Sequence, residues 1–209
     1  MTRHAGLSTL TLTALFVIAA TPPTMAQEAV TDSVDKYKFL GKSARDKSDH
    51  ADVIIYYDRL LTFKSDYHLA HYRKARAQLA LGDQEAAKVS LLAAVALKPR
   101  HANTLLLLYQ VYAEQHKPDS AWVYLWPLVA AKPGDAKYRG YRSKIADLYR
   151  RAGKVTTAIG HYRTIAEDSR TPEGTRWELY ELLAVLYDDM GDASQALVWR
   201  QKLAGAGGQ

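Results

Sequence analysis

Apolar residues are distributed along this chain in two different ways. Near the amino terminus they are contiguous: Leu10 to Ala20 reads LTLTALFVIAA, after a short basic start at Arg3 and His4 and before Thr-Pro-Pro-Thr-Met-Ala, which ends in the small residues Thr24 and Ala26. Further on they are interspersed with polar residues, and their arrangement recurs. The phrase Leu81-Gly82-Asp83-Gln84-Glu85-Ala86-Ala87 has Pro99 twelve residues after Ala87, and Ala121 has Pro133 at the same distance. Gly82 and Ala87 stand five apart, as do Gly153 and Ala158, and Gly191 and Ala196. Self-similarity of this kind marks a repeat architecture.

The amino-terminal pattern has the three-part layout of a secretory signal peptide, over residues 1–26 with cleavage expected after Ala26. The apolar run is short for a permanent membrane helix, so an uncleaved anchor is the alternative. No other segment is apolar enough to span a bilayer. A periplasmic or secreted protein without a membrane span is therefore expected.

The recurring phrases resemble the tetratricopeptide repeat, a unit of about 34 residues forming two antiparallel helices. Five units fit the chain, at 34–67, 68–101, 102–135, 139–172 and 177–209, after a short leader at 27–33. The resemblance implies an all-α fold, a right-handed superhelical solenoid. Its packing rows can be read across the units. The small residue where the two helices cross is Gly41, Ala75, Ala146 and Ala184, with Tyr109 in the third unit. On the second helix the small residue is Ala87, Ala121, Ala158 and Ala196, with Val53 in the first unit. Large residues follow at Tyr57, Leu91, Leu125 and Tyr162, and then Leu60, Ala94, Leu128, Ile165 and Leu203. Helix axes approach to about 8–10 Å only where side chains are small, and larger neighbours fill the hollows beside each crossing. A turn glycine admits positive φ at the end of the first helix, and a proline stops the second. Ser48 stands at the glycine position of the first unit. In the fifth, Arg200 replaces a large apolar residue, and Trp199 and Leu197 are expected to be partly exposed for want of a following helix.

Composition narrows the chemistry. The formal net charge is +6, falling to +5 without the first 26 residues, and no basic cluster is dense enough to track a phosphate backbone. Nucleic acid is therefore not an expected partner. With no cysteine, the chain has no disulfides, no thiolate metal site and no lipid-anchoring cysteine. Fourteen tyrosines against three phenylalanines suit positions where a ring packs and its hydroxyl stays wet. Gly41-Lys42-Ser43 lacks the glycine of a phosphate loop, because Lys36 stands five residues earlier. Gly153-Lys154 fails likewise, with Leu148 in that place. His68 and His71 have no third ligand in zinc-protease spacing, and Asp188 to Asp192 lacks the alternation of a calcium loop. No nucleophile is paired with a base in any local pattern. Neither an enzyme nor a cofactor is expected.

In tetratricopeptide proteins the first helices line a concave groove that holds extended peptides or helices. Carried onto this chain, that implies groove positions at Lys38, Lys42 and Arg45; at Tyr72, Arg73 and Arg76; and at Asn103, Leu106 and Gln110. The later units contribute Ser143, Lys144, Asp147 and Arg150, then Glu178, Glu181, Val185 and Asp188. Such a groove is basic at its amino-terminal end and acidic at its carboxy-terminal end. The asparagines with which some family members clamp a terminal carboxylate are missing from the first two units, although Lys42 with Arg73 and Arg76 could still hold one. The expected function is an exported scaffold binding a protein or peptide, probed by reversing the charge of Lys42, Arg73 and Arg76. The alternatives are a structural subunit packing through its convex face or its fifth unit, including self-association, and an enzyme whose site leaves no mark on the sequence.

The register makes a direct prediction. Ala87→Arg or Ala121→Arg forces a large cation into a close crossing and should cost about 3 kcal/mol or more. An unchanged melting temperature would contradict the assignment of these alanines.

Overall fold

The computed structural model describes residues 25–132 and 135–206. The signal-like segment except its last two residues, Pro133 and the final three residues lie outside them. The described residues form ten α-helices and no strand, arranged as five hairpins. These are α1 (Met25–Asp46) with α2 (His50–Phe63), α3 (His68–Ala80) with α4 (Gln84–Leu97), α5 (Ala102–Glu114) with α6 (Pro118–Ala131), α7 (Ala136–Arg151) with α8 (Val155–Ala166), and α9 (Glu173–Asp189) with α10 (Ala193–Ala206). Each helix packs chiefly on its neighbours in sequence, as in a solenoid. Residues 27–33 are helical and continuous with the rest of α1.

All five hairpin turns are closed by the same bond. The N–H three residues past the first helix reaches back to a carbonyl: Asp49 to Ala44, Asp83 to Gln78, Lys117 to Tyr112 and Lys154 to Tyr149 at 2.9 Å, and Asp192 to Tyr187 at 2.8 Å. This geometry needs one left-handed residue per turn. Gly82, Gly153 and Gly191 supply it with φ of 83°, 74° and 77°. Ser48 and His116 adopt it at 58° and 54° despite their Cβ atoms. The second helix then starts on a cap. The carboxylates of Asp49, Asp83 and Asp192 accept from the N–H of Asp52, Ala86 and Gln195 at 3.1, 3.0 and 3.1 Å, satisfying otherwise orphaned donors. In α6 a proline, Pro118, opens the helix instead.

The core is made of the rows that face each crossing. Ala75, Ala146, Ala87, Ala121, Ala158 and Ala196 are completely buried, and so are Tyr57, Leu60, Leu91 and Leu125. Gly41 is buried too, and a Cβ added there would lie 3.0 Å from the ring of Tyr57. Two departures are compensated locally. Gln78, where the last three units carry Tyr112, Tyr149 and Tyr187, is buried with its side-chain oxygen accepting from the Ser90 hydroxyl at 2.8 Å. Tyr109, in place of a small residue, is buried and meets Tyr141 of the next hairpin edge-on at 5.4 Å. Burial and the neighbouring Tyr141 push its hydroxyl up to about 12.

The fifth hairpin corrects one expectation. Trp199 is only 2% exposed. Its ring lies against Tyr180 at 5.6 Å, and the Lys202 ammonium sits 4.0 Å from its centroid. The Trp199 ring is thus covered by long side chains of α9 and α10 themselves. Leu197 is exposed, as expected. Arg200, at the apolar position, is ion-paired with Asp188.

An aromatic stack joins the third and fourth hairpins. His161 lies edge-on to Trp122 at 4.4 Å and parallel to Tyr149 at 5.4 Å. Burial, reinforced by the nearby Arg142 cation, pulls the imidazole down to about 4.

Two measurements follow. His116→Gly removes a Cβ from a left-handed position and should stabilise the fold by about 0.5–1 kcal/mol; a lower melting temperature would contradict that conformation. His161 titrates at about 4 when folded against an ordinary 6.5. The unfolded chain therefore binds the extra proton between these values, and stability falls as pH drops through this window. The fall in melting temperature from pH 7 to pH 4 should be smaller for His161→Gln than for the wild type; equal falls would contradict the half-buried neutral imidazole.

Candidate functional site

The first helices carry one register position whose chemistry changes sign along the stack. Lys42, Arg76, Gln110, Asp147 and Val185 occupy it in successive hairpins. The first three are exposed, Asp147 is half-buried and Val185 is exposed.

At the amino-terminal end, Arg45, Arg73 and Arg76 converge on a cleft of about 110 Å³ between α1, α2 and α3, with His50 and Val53 beside them. Each guanidinium is held differently. Arg73 donates to the Tyr57 hydroxyl at 3.0 Å and lies over that ring at 5.7 Å. Arg45 pairs with Asp46 at 2.9 Å. Arg76 is exposed to solvent. Guanidinium groups in this grouping suit a carboxylate, which they can grip bidentately. Lys42 is exposed on the same helix as Arg45. Lys38 lies apart, 3.8 Å from Asp35 and lining a separate cavity with Phe63, Lys64 and Tyr67.

At the other end, a crevice of about 420 Å³ runs between α7, α8 and α9. Asp147 and Glu178 face it across the apolar side chains of Leu179 and Leu182. The Asp147 carboxylate accepts from the Tyr162 hydroxyl at 2.6 Å. Burial first, and then this bond, push that hydroxyl up to about 12. Tyr57 and Tyr162 occupy equivalent places on α2 and α8, and both present their polar tips to charged residues of first helices, Tyr57 to Arg73 of the following hairpin and Tyr162 to Asp147 of its own. Glu181 is exposed on α9, outside the crevice. Lys144 is exposed with its ammonium 5.8 Å from the Tyr141 ring.

The middle of the row departs from expectation. Leu106 is buried and belongs to the core cluster that contains Tyr109. An apolar side chain at the edge of a core gains by leaving water. Leu106 is therefore a core residue and not a groove contact. Tyr72 is half-buried, edge-on to His101 at 5.2 Å. Gln110 is exposed. His68 and His71 do not come together on a ligand: His68 meets His101 at 5.3 Å, and His71 shares a hydrogen bond with the Ser65 carbonyl at 3.0 Å.

A tetratricopeptide-repeat family model matches residues 69–101, the stretch that folds as α3 and α4. The whole helical array is similar to several solved structures. A crystal structure of MamA protein superposes with a TM-score of 0.60 at 20% identity, over 84% of this chain and 92% of that one. MamA 41-end from Desulfovibrio magneticus RS-1 gives 0.58 at 16% identity, over 84% and 95%. YrrB, described as a TPR protein with an unusual peptide-binding site, gives 0.58 at 16% identity, over 85% and 91%. This chain carries a tetratricopeptide repeat and has the all-α fold of tetratricopeptide arrays. No curated protein matches its sequence. At these identities the solved structures establish the fold of the tetratricopeptide array, while its charge pattern is read from its own residues.

Tyr57 and Tyr162 were visible in the sequence as core residues, but their hydroxyl contacts were not. The signal that could have found them is the coincidence of tyrosine, where other units carry leucine, with Arg73 and Asp147 on the first helices.

Proposed function

We propose that this tetratricopeptide array is an interaction scaffold that holds a segment of a protein partner, extended or helical, along its first helices. The ligand's acidic end lies at Arg45, Arg73 and Arg76, and its basic end at Asp147 and Glu178. The observation that carries the reading is the change of sign along one register position, from Lys42 and Arg76 through Gln110 to Asp147, with an open cleft at each charged end. Charges so arranged set ligand direction and speed encounter more than they add affinity. No catalytic step is needed. The signal-like amino terminus supports a place in the periplasm or the medium, and so a partner in the cell envelope.

A second reading has its own observation. Ile55, Val89, Val123 and Val198 occupy one register position on the second helices and are all exposed. Such a row suits a structural subunit packed by its back. Leu197, exposed beside Val198 on α10, marks where self-association through the last hairpin would occur.

The readings separate in one experiment. Partner recovery by immobilised wild type is compared with recovery by Lys42→Glu/Arg73→Glu/Arg76→Glu and by Val89→Ser/Val123→Ser. Groove binding predicts a loss of about tenfold or more in the first variant alone. Equal recovery by wild type and the first variant would remove the groove assignment, and loss confined to the second would favour packing by the back.

A further inference from the structure

Another cleft lies away from the first-helix row. It has a volume of about 500 Å³ and opens where the ends of α6 and α8 meet the start of α7. Arg142 and Ser143 are adjacent in sequence yet line different crevices: Ser143 the one shared with α9, Arg142 this one.

Four arginines, Arg139, Arg142, Arg163 and Arg170, line it with two acids, Glu167 and Asp168. Both acids are already engaged. Asp168 accepts from Arg170 at 2.8 and 3.1 Å, with Arg139 at 3.9 Å. Glu167 is shared by Arg163 at 3.9 Å and Lys202 at 3.7 Å. Arg142 is left over. It is half-buried, and among the described residues no carboxylate lies within ion-pair distance of it. Its guanidinium rests over the Trp122 ring at 5.4 Å, and Trp122 contacts the half-exposed Trp126 at 5.5 Å. A half-buried cation without a direct ion pair is costly, and burial lowers its pKa, an effect the more distant Asp168 carboxylate only partly offsets. A ligand carboxylate would complete it.

We propose that this cleft is a second docking site, for an acidic segment of a protein partner that places a carboxylate on Arg142, beside the Trp122 ring, and apolar stems against Val129 and Ile165. The site's own layout selects this ligand over a compact polyanion. Its cations are spread over α7, α8 and the following loop, and Glu167 and Asp168 pair with all of them but Arg142, so a compact phosphate dianion finds one arginine without a direct ion pair and two acids nearby. Carboxylates spaced along a chain can take the guanidinium groups singly. Val129 and Ile165 supply apolar wall between the charges. The site does not depend on the first-helix groove.

The test uses the full chain with nitrogen-15 label and follows its tryptophan indole N–H resonances, those of Trp122 and Trp126 being assigned by Trp→Phe variants. The probe is end-blocked hexaglutamate, with inorganic phosphate at equal concentration as the comparison. Saturable movement of the Trp122 resonance by the peptide is expected. The Kd read there should rise about threefold in Arg163→Gln and about tenfold in Arg142→Gln/Arg163→Gln, and stay unchanged in Arg73→Glu/Arg76→Glu. Should the double variant fail to fold, the single change at exposed Arg163 decides. The proposal is overturned by an unmoved Trp122 resonance, by equal Kd in wild type and Arg163→Gln, by loss of binding in the Arg73→Glu/Arg76→Glu chain, or by phosphate producing the same movement as the peptide.

Discussion

Everything in this molecule depends on how closely the two helices of a hairpin can approach. The positions that allow it are small and fully or almost fully buried: Gly41, Ala75, Ala146 and Ala184 on the first helices, Ala87, Ala121, Ala158 and Ala196 on the second. At each crossing a larger side chain lies alongside, such as Tyr57, Leu91 or Tyr162. Cores of this kind have no slack for an added methylene. A hairpin so closed still has one apolar side uncovered, and the next hairpin covers it. The stack therefore continues at a repeat of 34 residues, lengthened to 37 and 38 only where short insertions separate the third, fourth and fifth units.

Function is read from the same register. Because side chains outside the crossings recur in step, each position on the first helices becomes a line running the length of the array. Evolution can then write charge along that line without disturbing the core. Here it is written as cation, cation, neutral, anion, apolar. The second-helix tyrosines tie this surface to the interior: the hydroxyl of Tyr57 accepts from Arg73, and that of Tyr162 donates to Asp147. These bonds hold charged side chains in fixed positions, which lowers the cost of ordering them when a ligand arrives.

The fold was legible because its determinants are local and repeated. Glycines five residues before alanines mark turn and crossing together, and Ser48 was recognisable by position as a glycine's substitute before its φ of 58° was seen. What escaped the sequence is what depends on neighbours far along the chain. Leu106 stands in line with the exposed Lys38 and Glu181, yet it is buried in the cluster that holds Tyr109. Trp199 was expected to lose cover at the end of the stack, but Tyr180 and Lys202 close over it. The arginine cleft joins residues from 139 to 170, and it forms at the junction where an insertion interrupts the 34-residue step. No periodic pattern announces it.

The central claim is that the small residue and the large one at each crossing are chosen for each other. A double-mutant cycle in the first hairpin measures this directly. Gly41→Ala and Tyr57→Leu together install the pair that the second hairpin carries at Ala75 and Leu91. In the wild-type background the added Cβ meets the Tyr57 ring at 3.0 Å, which cancels or outweighs the gain in helix propensity. With leucine at 57, the same change should be stabilising, giving a coupling of about 1 kcal/mol or more. If Gly41→Ala has the same effect on unfolding free energy in both backgrounds, the close crossing is not what holds the hairpin.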